Sequence, residues 1–154
     1  MSSHAINLEA YQKQIGKPLG VSEWFKIDQD RINAFADVTQ DHQFIHLDEA
    51  RAKSETPFGG TIAHGYLTLS LLTHLVNQVA PVPIGTTAQI NYGLNRVRFL
   101  HPVLANTRIR ASVGLDKITE RRAGQFLFEF DVTMQIETVK TPALMAKSLA
   151  LYTF

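Results

Sequence analysis

Hydrophobic positions change period once along this chain, after Pro81 and Pro83. Beyond that point apolar residues recur at every second position. In GQFLFEFDVTMQIET, Phe126, Phe128, Phe130, Val132, Met134 and Ile136 alternate with Leu127, Glu129, Asp131, Thr133, Gln135 and Glu137. That alternation predicts a long, half-buried antiparallel strand. INYGLNRVRFL alternates through Ile90, Tyr92 and Leu94 and resumes out of phase at Val97 and Phe99. A bulge near Asn95 or Arg96 is therefore expected. RIRASVGLDKI supplies a third strand. ALMAKSLALYTF, apolar on both faces, supplies a fourth that belongs in the middle of a sheet. Arg121-Arg122 reads as a hairpin tip.

Ahead of the two prolines the period is helical. Thr61 to Ala80 is the longest helix candidate, and its apolar residues cover enough of the wheel to predict burial on most sides. Gly65 falls in its first turn, where a missing side chain permits close approach. Asp28 reads as the N-cap of a helix from Gln29 to Asp37, with Ile32, Phe35 and Ala36 on its apolar face. Asp48 reads as a second N-cap, before EARAKSE, and TPFGG must be loop. Gly16-Lys17-Pro18 signals a turn, followed by a short strand over VSEWFKI. Helices first and strands afterwards exclude a βαβ rhythm and predict an α+β fold, a curved antiparallel sheet wrapped around a long central helix.

Composition narrows the partners. The 154 residues suit a single domain spanning 1–154, with 45% hydrophobic and 19% charged residues. A formal net charge of +1 gives no field that favours nucleic acid or an anionic membrane. Without cysteine there are no disulfides, thiolate nucleophiles or cysteine-based zinc sites. The amino terminus lacks the basic start and apolar run of a signal peptide, and the run from Ile62 to Val82 is broken by polar residues, so a cytoplasmic location is expected.

The candidate chemistry lies in FADVTQDHQFIHLD, Phe35 to Asp48, where three acids and two histidines surround Phe44 and Ile45. Asp41 and His46 would stand roughly 140° apart on an ideal helix, so they converge only if the segment is irregular. A loop fixed by burial of Phe44 and Ile45 would meet that condition. Four readings compete: a solvated loop with caps, a metal site on His42 and His46, nucleophilic catalysis, and a carboxylate–imidazole pair sharing one water. Asp37 and Asp48 fit helix-end duty. The absence of G-x-S-x-G and of cysteine weakens nucleophilic catalysis. PFGGTIAHGYLTLSLL strengthens the acid–base reading. It offers backbone amides at a helix start near Gly65, where a developing oxyanion would be stabilised, and a hydroxyl at Ser70. His64 reads more simply as a capping or packing residue.

Asp41-x4-His46 followed by FGGTIAHGYLTLSLL, together with INYGLNRVRFLHPV, resembles the MaoC-like dehydratase family, which includes (R)-specific enoyl-CoA hydratases and NodN-like proteins. The resemblance runs over nearly the whole chain. It implies a hotdog fold and hydration of a trans-2-enoyl-CoA to an (R)-3-hydroxyacyl-CoA. By motif match it makes Asp41 and His46 the water-activating pair and Gly65 the oxyanion amide, with Ser70 nearby. It implies an acyl-CoA or acyl-carrier-protein thioester as substrate, no metal or redox cofactor, and a homodimer. Gln40, Gln43 and Phe44 depart from the commonest motif, which has glycine, asparagine and proline there. Gln43 retains an amide able to orient a neighbour, whereas Gln40 replaces a residue suited to positive φ. Arg96, Arg98 and His101 are candidates for a phosphate of the thioester's carrier. A hotdog thioesterase and a non-catalytic thioester-binding subunit are the rival readings.

Overall fold

Described over residues 6–154, the computed structural model places six strands in one antiparallel sheet. Residues 1–5, and the part of the amino-terminal reading that falls on them, lie outside the described residues. The strands are β1 (Lys17–Val21), β2 (Phe25–Ile27), β3 (Ala88–Phe99), β4 (Thr107–Arg122), β5 (Gln125–Ile136) and β6 (Val139–Thr153). Their order is β1-β4-β5-β6-β3, with β2 also on β4. The helices are α1 (Leu8–Gln12), α2 (Gln29–Thr39), α3 (Phe44–Leu47), α4 (Glu49–Glu55), α5 (Gly65–Ser70) and α6 (Leu72–Val79).

The four long strands run as the alternation predicts. On β5, Phe128, Phe130, Val132, Met134 and Ile136 are buried, on the same face of the sheet as Ile109, Ala111, Val113 and Leu115 of the neighbouring β4. β6 is interior, as its two apolar faces require. The bulge expected near Arg96 is present: the β3–β6 register shifts between Asn95 and Arg98, and Arg96 has φ of 55°. Asp28 and Asp48 cap α2 and α4 by accepting hydrogen bonds from the amides of Arg31 and Arg51.

Three expectations need correction. The strand over Val21 to Ile27 is two strands, interrupted at Ser22 to Trp24. Lys17 and Pro18 begin β1 instead of a turn, because β1 ends the sheet and a proline there disturbs no interior ladder. The single helix over Thr61 to Ala80 starts only at Gly65 and is interrupted at Leu71. Ahead of Gly65 the backbone is extended because its polar groups are taken on both sides. Ile62 N–H donates to the Ile45 carbonyl, Ala63 N–H to Val103, and the Thr61 carbonyl accepts from Ala105 N–H. The helix pair is also less buried than its composition implies. Leu67, Leu72, Leu75 and Val76 enter the core, while Tyr66 is 72% exposed and His74 and Gln78 face outward.

The sequence gives little sign of α1. Asn7 caps it, and Tyr11 ties it down by packing edge-on to Phe128 at 5.4 Å and donating its hydroxyl to the Pro81 carbonyl at 2.5 Å. Among the described residues no helix is long and apolar enough to cross a membrane.

Candidate active site

The site begins where α2 ends. Gln40 takes the left-handed conformation, φ 62° and ψ 21°, and donates its side-chain amide to the Asp37 carbonyl at 2.6 Å. This one residue turns the chain out of the helix and into the irregular stretch that Asp41 and His46 need. The position does require the positive φ that a glycine would supply. His46 then sits on the one-turn helix α3, which the loop reading did not anticipate. Phe44 and Ile45 are only half-buried, and the residue that anchors the segment is His46 itself, 5% exposed. Phe44 instead carries the Arg51 guanidinium 3.9 Å above its ring.

Two ties hold His46. Its Nδ1–H donates to the Ile62 carbonyl at 2.7 Å, and its own carbonyl accepts from Gln29 Nε2 at 2.7 Å. Gln29 is fixed in turn by the Thr61 hydroxyl at 2.6 Å. With Nδ1 committed to a carbonyl, a neutral His46 carries its lone pair on Nε2. Asp41 receives Gln43 Nε2–H on Oδ1 at 3.0 Å, so the glutamine does orient the neighbouring carboxylate.

His64 completes the cluster. It is 3% exposed, and its ring stacks on His46 at 3.7 Å, 26° from parallel. Its Nε2–H donates to the main-chain carbonyl of Asp41 at 2.9 Å, so it holds the backbone of the residue that carries the carboxylate. Its Nδ1 is buried without a hydrogen-bond partner. A ligand atom each from Asp41, His46 and His64 lies within 4.8 Å of the others. Two imidazoles stacked this nearly parallel direct their in-plane lone pairs side by side and not at one point, which disfavours a shared ion. His42, which the competing metal reading would have paired with His46, is exposed and bonded to Asp37 at 3.0 Å.

The electrostatics separate the two central groups. The Gln43 hydrogen bond, ahead of the nearby imidazoles, holds the Asp41 carboxyl below its ordinary range, against a smaller opposing effect of desolvation. Burial pushes the His46 imidazole below its ordinary value, with the Ile62 carbonyl and Asp41 opposing and His64 reinforcing. Near neutral pH the pair is therefore one carboxylate and one neutral imidazole, both acceptors. A water between them would donate one hydrogen bond to each and turn its lone pairs outward, and a carboxylate oxygen and a ring nitrogen lying within 4.8 Å of each other leave such a water in reach.

His46 opens onto a mostly apolar cavity of about 330 Å³ that is also lined by Phe58, Gly65, Thr68, Phe99 and His101. Gly65 is the first residue of α5, and a Cβ there would stand 3.1 Å from the Phe99 ring. Ser70 is not in this site. Five residues beyond Gly65 it has rotated to the exposed side of α5, where its hydroxyl donates to the Leu67 carbonyl at 2.8 Å. Thr68, which the sequence marks only as a helix residue, lines the cavity in its place. Arg96 and Arg98 lie on the exposed end of β3, close in sequence to the cavity residues Phe99 and His101, but neither lines the cavity. The signal for His64 was its place directly before Gly65 at a helix start. Its contact with Asp41 depends on a crossing that sequence spacing does not encode.

Residues 10–134 match the family model described as a MaoC like domain. The chain is 44% identical over 151 residues to nodulation protein N of Rhizobium leguminosarum, covering 98% of this chain and 94% of that one. It is 42% identical over 137 residues to 3-hydroxyacyl-thioester dehydratase Z of Mycobacterium tuberculosis, covering 89% of each. Among solved structures, the monoamine oxidase regulatory protein of Archaeoglobus fulgidus superimposes with a TM-score of 0.80 at 26% identity, over 97% of this chain and 95% of that one. The fold is a hotdog, with the antiparallel sheet packed against α5 and α6.

The left-handed turn at Gln40 has a measurable consequence. Gln40→Val puts a β-branched residue at positive φ and should lower stability by about 1–2 kcal/mol in urea unfolding, while Gln40→Gly should be tolerated. Equal losses in both variants would show that the bond to Asp37, and not the backbone angle, holds the turn.

Proposed function

The chain belongs to the MaoC-like dehydratase family, and from that membership we propose that it is an (R)-specific enoyl-CoA hydratase, adding water reversibly to a trans-2-enoyl thioester. The observation that carries this reading is the pairing of an ionised Asp41 with a neutral, buried His46 close enough to share one water, beside an apolar cavity suited to an acyl chain. The 42% identity to a protein named as a 3-hydroxyacyl-thioester dehydratase supports the substrate class.

In this mechanism the thioester carbonyl accepts from the amide of Gly65 at the start of α5, so that negative charge can develop on its oxygen. Asp41 takes a proton as the water oxygen bonds to C3. His46 holds the same water by accepting at Nε2, and the protonated Asp41 delivers its proton to C2 from the same side. Water's oxygen and one hydrogen end on adjacent carbons, and the second hydrogen is carried by the hydroxyl. Nothing is oxidised overall, so the reaction needs no redox cofactor, and in this reading Asp41 and His46 activate the water without a metal. Gln43 and His64 act by positioning Asp41, the first through its carboxylate and the second through its main chain. A cytoplasmic setting is part of the same proposal.

The second reading is a non-catalytic thioester-binding subunit. The names nodulation protein N and monoamine oxidase regulatory protein, neither of which specifies a reaction, are what favour it. Asp41→Asn decides between them: it should lower turnover of a panel of enoyl-CoAs by at least about 10² with the fold intact. Turnover already absent in the unaltered protein, with binding retained, would favour the subunit. The pH profile adds a check. With its pKa below the ordinary 6.5, His46 stays neutral as pH falls through that value, so kcat/KM should hold there and drop only at lower pH.

Arg96 and Arg98, exposed beside the cavity's end of β3, are proposed contacts for a phosphate of the carrier. Arg98→Ala should then raise KM for CoA thioesters with kcat unchanged, and an unaltered KM removes the assignment. A homodimer is part of the proposal as well. β3 ends the sheet and exposes Ile90, Tyr92 and Leu94, a long apolar edge that a second copy can cover. Sedimentation equilibrium should give twice the chain mass, reduced to the chain mass in Ile90→Lys/Leu94→Lys.

A further inference from the structure

A second cleft lies on the other face of the sheet. Arg110 alternates with the buried Ile109 and Ala111, and Gln135 with the buried Met134 and Ile136, so both point away from the core. They are direct cross-strand partners, and Arg110 Nε donates to Gln135 Oε1 at 2.7 Å. The guanidinium also stacks over the Trp24 ring, 4.4 Å from its centroid. These residues, with Thr138, Lys140 and Pro142, line a cleft of about 290 Å³.

Two observations mark it as more than surface relief. The first is charge. On the same face Arg108 is paired with Glu137, and Lys147 with Asp116 and Asp131, whereas neither Arg110 nor Lys140 forms an ion pair among the described residues. The second is order: the stack on Trp24 and the bond from Gln135 fix the Arg110 plane, and its two terminal amino groups remain for a ligand, the geometry that grips an oxyanion through two parallel bonds.

We propose that this cleft is a second ligand site, and that it binds an organic phosphate of nucleotide size. Arg110 would take two phosphate oxygens and Lys140 would supply the second positive charge, with Trp24 and Pro142 as apolar walls. The volume of about 290 Å³ stands at the lower end of the range of small-molecule pockets. Two sources share this chemistry, a free nucleotide and the nucleotide end of a thioester's carrier. The site does not depend on the hydration reading, because its test is binding.

Trp24 is the chain's only tryptophan, so intrinsic emission reports on this cleft directly. Titration of the full chain with adenosine 3′,5′-bisphosphate should give a saturable emission change with a midpoint below about 1 mM. Lys140→Ala, which leaves the Trp24–Arg110 stack in place, should raise the midpoint about tenfold, and Arg110→Ala at least as much. Coenzyme A binding more tightly than the bisphosphate identifies the carrier as the source, and the reverse order identifies a free nucleotide. No saturable change at millimolar bisphosphate overturns the proposal. So does an unaltered midpoint in Lys140→Ala, or an equal response to pantetheine, which has no phosphate.

Discussion

Everything at the candidate site hangs from one short extended segment, Thr61 to Ala63. On one side its Ile62 N–H and C=O bond to the Ile45 carbonyl and the His46 ring, and on the other Ala63 N–H bonds to Val103. The Thr61 hydroxyl reaches Gln29, which grips the His46 carbonyl. A helix starting at Thr61 would have consumed the Thr61 and Ile62 carbonyls within itself. Holding the segment extended is what lets α3, α2 and the start of α5 meet at fixed distances.

That scaffold determines the charge state as well as the geometry. Fixing His46 Nδ1 on a carbonyl leaves Nε2 for chemistry, and burial keeps the ring uncharged. Asp41, more exposed and held by Gln43, stays ionised. Two acceptors with different burial can share a water without competing for the same proton. His64 contributes through position, stacking on one member of the pair and bonding to the main chain of the other.

The sheet serves two faces by the same alternation. Inward residues of β4 and β5 build the core that supports α6, while their outward neighbours Arg110 and Gln135 form an ordered cationic cleft beside Trp24. The long apolar edge of β3 lies apart from that cleft, so self-association and ligand binding need not exclude each other.

Much of this was legible along the chain. The strands of β3 to β6, the bulge at Arg96, both aspartate caps and the α+β order follow from local periodicity and side-chain chemistry, which act over a few residues. The need for positive φ at Gln40 followed from a residue type out of keeping with its place. Other features were decided only by tertiary structure. Thr61 to Ala63 falls within the apolar pattern of the following helix yet is extended, because backbone partners on both sides take its polar groups. Ser70 stands outside the site because packing turns its side of α5 to solvent, a choice of face that helical spacing alone does not make. His46, and not Phe44 or Ile45, anchors the turn because the only buried place there offers a carbonyl, which an imidazole N–H can satisfy and an alkyl group cannot.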